Sequence, residues 1–529
     1  MRFLLINVPV REDKPPNAFP IGLGMIAAVL EQAGYAVTVL DANALRLSAE
    51  ETAARAVDDS PDVIGISGLV STYKYQTRLI EALKARLPEV PIVAGGGCAT
   101  SIPGLMAAHT AADFLVIGEG EHAILDIART LETGGDFRAV PGIVYQSDGE
   151  TIFTEPRLPE EDLDRFPMPA YHLFPVEIYM KNPIWQFKNP AINIISSRGC
   201  PMSCRFCYNL FGRRSYRRRG VESIVEEIRR LKRDYGIRTV AFVDDNVTIN
   251  KKHLGALCEA LAKEEITWGC HGRVDTADDE RLSMMAAAGC TWLGFGIESG
   301  SERILKAMDK RVRVEQAKDA ILRTRAHGIF PNTTYIFGYP GEDLDSIGET
   351  LRFKLDLDII ADGFFATPYP GTELYAEARE KGLIGDENAY ALSLNNAYDF
   401  TVNLTEFTDE SLFALKESAL FELKVLSVFK HRGIPLTEEQ PFLDTANKLL
   451  AQETTLLPEA KGIVLLRLAD YYAAKGDLST AFQCRSSAFR FGASMDMLAP
   501  ESESVPEAQP ANRNYDGIDG RSRLSDDLG

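Results

Sequence analysis

The sequence predicts an α/β chain: an open parallel sheet, then a partial or full β/α barrel, then a helical region. Three observations predict it. Short β-branched runs alternate with helical patterns as far as about residue 385, which is the rhythm of βαβ units. A proline-punctuated stretch divides the alternation in two. Beyond residue 385 the strand patterns stop.

The composition permits this. The 529 residues are 45% hydrophobic and 25% charged, so large cores can be buried in several domains. The formal charge of −19 argues against a nucleic-acid partner, since phosphate backbones need a basic footprint. No run approaches the roughly 20 apolar residues of a membrane span. Phe3 to Val8 is too short for a signal core. A cytoplasmic protein without a membrane span is expected.

Residues 1–145 form the first unit. Its strands are expected at Phe3–Asn7, Val37–Leu40, Val63–Ser67, Ile92–Ala94 and Phe114–Ile117, with helices such as Ile21–Ala33 and Tyr75–Leu87 between them. In such sheets a ligand sits at the carboxyl ends of the strands. Residues 146–190, with Pro156, Pro159, Pro167, Pro169, Pro175 and Pro183, read as a linker. Residues 191–385 form the barrel unit. Strands are expected at Ile192–Ser197, Thr239–Val243, Thr267–His271, Thr291–Ile297, Thr333–Phe337 and Gly363–Thr367. Residues 386–499 are helical, including Asp409–Phe429 and the pair Gly462–Lys475 and Leu478–Phe491. One such pair is not a repeat array, so a plain helical hairpin is the simpler reading. Residues 500–529, rich in Ser, Glu, Pro and Asp, are expected to be disordered.

Three of the eight cysteines, Cys200, Cys204 and Cys207, share one loop directly after a predicted strand. Cysteine thiolates are the usual ligands of iron–sulfur clusters. The CxxxCxxC spacing lets a short loop hold three irons of a cubane and leave the fourth open. An open metal position is where substrate chemistry happens. Structural zinc would want a fourth Cys or His nearby, and His172 and His253 are far from the loop in sequence. Cys258, Cys270 and Cys290 are too scattered for a short-loop cluster and are expected to pack in the barrel.

The other predicted barrel strands end in polar or glycine-rich motifs, where a β/α barrel gathers its chemistry. They are Asp244-Asp245-Asn246, His271-Gly272-Arg273, Gly296-Ile297-Glu298, Gly338-Tyr339-Pro340-Gly341-Glu342 and Pro368-Tyr369-Pro370-Gly371. A basic run, Arg213, Arg214, Arg217, Arg218 and Arg219, follows the cysteine loop. It reads as a solvated face or, more sharply, as a contact to an anionic cofactor or substrate.

CxxxCxxC followed by an aromatic residue resembles the signature of the radical S-adenosylmethionine (SAM) superfamily. The strand-end motifs resemble the subgroup with an N-terminal cobalamin (B12)-binding domain. So do Pro20-Ile21-Gly22-Leu23, Pro61 to Ser67, Ala94 to Gly97 and Ile117 to Glu121. The resemblance implies a Rossmann-like cobalamin-binding domain before a partial (β/α)6 TIM-type radical SAM barrel. It implies a [4Fe–4S] cluster on Cys200, Cys204 and Cys207, with SAM on the open iron and cleaved there to a 5′-deoxyadenosyl radical. It places Tyr208 beside adenine, and Asp244 and Asp245 near the methionine end. It offers Arg273 to a carboxylate, Glu298 to the ribose or amino group, and Gly338 and Pro340 to the adenine site. Toward cobalamin it offers Ser67, Gly68, Thr72, Gly95, Gly96, Gly97 and Glu119. None of the seven histidines sits in an Asp-x-His-x-x-Gly motif, so a motif histidine would not ligate cobalt.

The implied partners are a small-molecule substrate and a one-electron reductant such as flavodoxin or ferredoxin. The implied reaction is cobalamin-dependent methylation of an unactivated carbon. The alternative is a cyclase or ring-rearranging oxidoreductase of the same architecture. A non-enzymatic cobalamin- or redox-responsive module conflicts with the full set of SAM-site motifs. Methylthiotransferases would need a second cysteine set upstream, where only Cys98 lies.

Overall fold

The computed structural model describes residues 1–12, 14–184, 187, 190–210, 215–395, 397–431, 439–452, 455–457 and 459–491. The expected disordered tail lies outside them, as do Arg213 and Arg214.

The N-terminal sheet has seven strands: β1 Arg2–Asn7, β2 Ala36–Asp41, β3 Val63–Ser67, β4 Ile92–Gly95, β5 Phe114–Val116, β6 Ile143–Ser147 and β7 Glu150–Phe153. Their order is β2-β1-β3-β4-β5-β6-β7, and the first five pair in parallel. Phe3, Leu4, Leu5 and Ile6 are all fully buried, as befits a parallel strand with helices on both faces. The chain departs to opposite sides of β1, toward β2 and toward β3, which opens a crevice at their carboxyl ends.

The last two strands are antiparallel and run into the stretch read as linker. Ser147 pairs with Glu150, so the loop is only Asp148-Gly149, with φ of 53° and 82°. Two positive φ values make this the two-residue hairpin turn for which Asp-Gly is a strong signal. Part of the stretch that follows is packed. Tyr171 and Tyr179 are buried with their rings 4.7 and 5.9 Å from Phe19. The Tyr179 hydroxyl donates to Asp41 Oδ2 (2.7 Å), and the Tyr171 hydroxyl donates to Glu227 Oε1 (2.5 Å). The segment therefore joins the first sheet to the barrel helix Val221–Tyr235.

The barrel unit begins with β8 Ala191–Ile194. A short antiparallel ribbon follows, β9 Ser197–Arg198 with β10 Arg217–Arg218. Then come β11 Thr239–Phe242, β12 Thr267–Gly272, β13 Cys290–Glu298, β14 Phe330–Phe337 and β15 Phe364–Phe365. The six long-sheet strands stand in chain order and pair in parallel, with β8 and β15 left as edges. This is a partial barrel, and each of the six expected strands is present. Trp268, Leu293, Phe295 and Ile297 are buried in its apolar layer, as are Cys258, Cys270 and Cys290.

The C-terminal helices are Asp409–His431, Glu439–Leu450, Ala460–Ala474 and Leu478–Arg490. Leu423, Leu426, Ile463 and Val464 pack with Ile347, Leu351 and Leu355 of the barrel helix Leu344–Asp356. Among the described residues no helix is long and apolar enough to cross a membrane.

Candidate functional site

The cysteine loop leaves the carboxyl end of β8 over a base fixed by Asp244. Ser196 N donates to both Asp244 oxygens (2.9 and 3.0 Å), Ser196 Oγ to one (2.8 Å), and Ser197 Oγ to the same one (2.5 Å). Burial pushes this carboxyl up and the serine donors oppose it. Asp244, expected at the methionine end of SAM, is thus engaged in shaping the loop. Its neighbour Asp245 is exposed and accepts from Asn209 Nδ2 (3.2 Å).

The barrel grips the loop along its length. Arg205 N donates to Met308 O, and Leu374 N donates to Arg205 O, both at 3.0 Å. Arg205 pairs with Glu377 (2.8 Å), and Ser203 Oγ donates to Asp309 Oδ2 (3.2 Å). Cys200, Cys204 and Cys207 are free thiols. Cys204 is buried, Cys200 half-buried and Cys207 exposed. Among the described residues no three Cys, His, Asp or Glu converge as one metal ion would need. In a cubane each thiolate takes a different iron, so three cysteines on one loop suit three of its four irons. Metal binding would displace their protons.

Lys310, which the sequence reading did not single out, faces the loop. Its Nζ lies 2.9 Å from Glu298 Oε1 and 5.6 Å from the centre of the Phe206 ring. Burial acts to lower its pKa, but the Glu298 carboxylate and Cys204 outweigh burial and hold it above the ordinary lysine range. Glu298 is buried, with φ of 69°, where the pairing of β13 with β14 shifts register. A left-handed, buried, non-glycine residue at a strand end is strain of the kind found at functional sites. Arg273, expected to meet a SAM or substrate carboxylate, has its fork on Asp275 (2.9 and 3.0 Å). Gly338 has φ of 79° and its N donates to Glu342 Oε2 (2.6 Å); Pro340 is half-buried beside it. Burial pushes the Glu342 carboxyl up to about 7.

Tyr208 reaches into the N-terminal unit. Its hydroxyl donates to Gly97 O (2.9 Å) and lies 3.2 Å from Ser101 Oγ, while its ring is 5.4 Å from that of Tyr369. The expected cobalamin residues divide into two groups. Ser67, Gly68, Thr72 and Gly96 pack on one another: a Cβ on Gly68 would lie 2.5 Å from Thr72 Oγ1, and one on Gly96 2.9 Å from Ser67 Oγ. A Cβ on Gly97 would lie 3.1 Å from the Tyr208 hydroxyl. Gly95 and Gly118 instead present bare backbone. The nearest atom to a Cβ on Gly95 is 3.8 Å away, and none lies within 4 Å of one on Gly118. Each leaves room for a ligand to approach the backbone closely.

Glu119, next to Gly118, is held by two arginines. Arg217 binds it with two nitrogens (2.6 and 3.1 Å), and Arg198 with a third (3.1 Å). Arg217 and Arg219 are buried in ion pairs with Glu119 and Glu227, so this part of the basic run is not a solvated face. Sequence spacing could not reveal these partners, 98 and 8 residues away.

The radical SAM superfamily profile matches residues 194–353, and the B12 binding domain profile matches residues 13–128. An uncharacterized methyltransferase of Pyrococcus horikoshii is 30% identical over 455 residues, spanning 82% of this chain and 96% of its own. The anaerobic magnesium-protoporphyrin IX monomethyl ester cyclase of Rubrivivax gelatinosus is 28% identical over 383 residues, spanning 70% of this chain and 68% of its own. In fold the chain is similar to the radical SAM methyltransferase TsrM of Kitasatospora setae. The TM-score is 0.64 at 16% identity, over 92% of this chain and 99% of the other.

Proposed function

This chain belongs to the radical SAM superfamily and to its branch with a B12-binding domain, and on that premise we propose that it methylates an unactivated carbon of a small molecule. Cys200, Cys204 and Cys207 would hold the [4Fe–4S] cluster and leave one iron for SAM, and Gly95 and Gly118 would receive cobalamin without a motif histidine. One observation carries this reading: the loop bearing the three thiols touches the glycine-rich strand ends of the B12 domain, through Tyr208 and Gly97. Two cofactor sites in contact are what passing a methyl group to a substrate radical requires. Similarity to a methyltransferase along almost its whole length supports the reaction type.

When bound, the cluster and cobalamin supply the electron that cleaves SAM to methionine and a 5′-deoxyadenosyl radical, and the methyl group. The chain's own residues bind and orient. Asp245, exposed beside the loop, suits the ammonium of SAM, and Lys310 suits its carboxylate. Glu298 keeps Lys310 charged and in place. The turn at Gly338 and Pro340, pinned by Glu342, shapes the adenine site. A one-electron reductant such as flavodoxin or ferredoxin completes the system.

The similarity to the cyclase supports a second reading, ring formation on the same architecture. Product analysis under anaerobic turnover separates the two. Methylation adds one methylene unit to the substrate and yields S-adenosylhomocysteine together with 5′-deoxyadenosine. Ring formation oxidises the substrate and yields 5′-deoxyadenosine alone. A Cys204→Ala protein that still cleaves SAM would overturn both.

A further inference from the structure

We propose that the cysteine loop hangs at both ends from the cobalamin face of the B12 domain, so that cobalamin and SAM bind cooperatively. The inference rests on the cofactor assignment above and goes beyond it. At the entry to the loop, Arg198 is two residues before Cys200. It binds Glu119 (3.1 Å) and Glu121 (2.5 Å), and its ribbon partner Arg217 binds Glu119 (2.6 Å). All four side chains are largely buried, from 4 to 14% exposed, so these pairs are poorly screened by solvent. At the exit, Tyr208 directly follows Cys207 and donates to Gly97 O. Leu210 lies against the same place: a Cβ on Gly371 would sit 2.6 Å from Leu210 and 3.8 Å from Ser101.

The anchor points are next to the two open glycines. Glu119 adjoins Gly118 at the end of β5, and Gly97 is two residues from Gly95 at the end of β4. A ligand seated on Gly95 and Gly118 therefore orders the turns that hold both ends of the loop. Tyr208 and Glu119 act as positioning residues, linking the cobalamin site to the SAM site. Thermodynamic linkage makes the effect reciprocal: the factor by which cobalamin tightens SAM equals the factor by which SAM tightens cobalamin.

The test uses full-length, anaerobically cluster-loaded protein. The SAM dissociation constant is measured by equilibrium dialysis with and without hydroxocobalamin, and the cobalamin constant with and without SAM. In the unmodified protein each ratio should be at least about fivefold, the low end of ordinary coupling. Tyr208→Phe and Glu119→Gln should each reduce both ratios, and the double variant should bring them close to one. Ser101→Ala, a milder change for use if the double variant does not fold, should reduce them by less. A ratio of one in the unmodified protein would overturn the inference. So would an unchanged ratio in variants that still bind both ligands, even if they melt at lower temperature. Failure of the unmodified protein to bind a cluster or cobalamin would instead overturn the functional reading, and this inference with it.

Discussion

Lys310 Nζ and Glu298 Oε1 lie 2.9 Å apart beside the cysteine loop, on side chains only 12 and 9% exposed. Removing one member of such a pair strands the other charge. Lys310→Met should cost about 3–5 kcal/mol in urea unfolding. The double variant with Glu298→Gln should recover part of that loss, because no charge is left alone. SAM affinity should fall in both proteins. Recovery of SAM affinity in the double variant would show that the lysine does not hold the SAM carboxylate.

Asp244 and Asp245 are adjacent in sequence but are predicted to fail differently. Asp244→Asn removes acceptor capacity from the three donors that make four hydrogen bonds at the loop's base, a loss on the order of 1–3 kcal/mol. Its iron-to-protein ratio after reconstitution should drop. Asp245→Asn should load iron normally and bind SAM several-fold more weakly. Iron analysis and dialysis on the same preparations check both.

Glu342 and Lys354 give a pH signature. Burial raises the Glu342 carboxyl to about 7 from 4.5, so the folded state holds its proton more tightly. Its contribution to stability is full below pH 4.5 and is lost as pH rises through 7. Burial lowers the Lys354 ammonium to about 8 from 10.5, so the folded state disfavours its charged form. That penalty is present below pH 8 and relieved between 8 and 10.5. Relative to the unmodified protein, Glu342→Gln should become progressively more stable between pH 4.5 and 7 and then level off. Lys354→Met should show its largest relative gain below pH 8. Melting curves across pH measure both.

Gly118 and Gly68 separate ligand space from packing. Gly118→Ala puts a side chain at φ of 85° into open space, a strain of roughly 1–2 kcal/mol. It should weaken cobalamin binding markedly while the protein stays folded. Gly68→Ala forces a Cβ to 2.5 Å from Thr72 Oγ1 and 2.8 Å from Val8. It should lower the melting temperature whether or not cobalamin is present.

The sheets and the cysteine loop were legible because their signals are local. A β-branched run, the residues that punctuate it and a fixed cysteine spacing all lie within a dozen residues. The Asp148-Gly149 hairpin was equally local and was lost among the prolines that follow it. The roles of Asp244, Glu119 and Lys310 were not legible, because each depends on a partner brought close only by folding. Ser196 is 48 residues from Asp244, and Arg217 is 98 from Glu119. Sequence marks a carboxylate at a strand end; only packing decides whether a serine, an arginine or a ligand occupies it. The same holds for Tyr208: its position after the third cysteine marks it, but only folding brings its hydroxyl to Gly97.

Mössbauer spectroscopy of 57Fe-reconstituted protein, recorded anaerobically before and after SAM addition, tests the central claim most directly. The account predicts a cubane spectrum in which one iron in four changes its parameters when SAM is added, and no such cluster in Cys204→Ala. Protein with no cubane, or with four irons that ignore SAM, would contradict it.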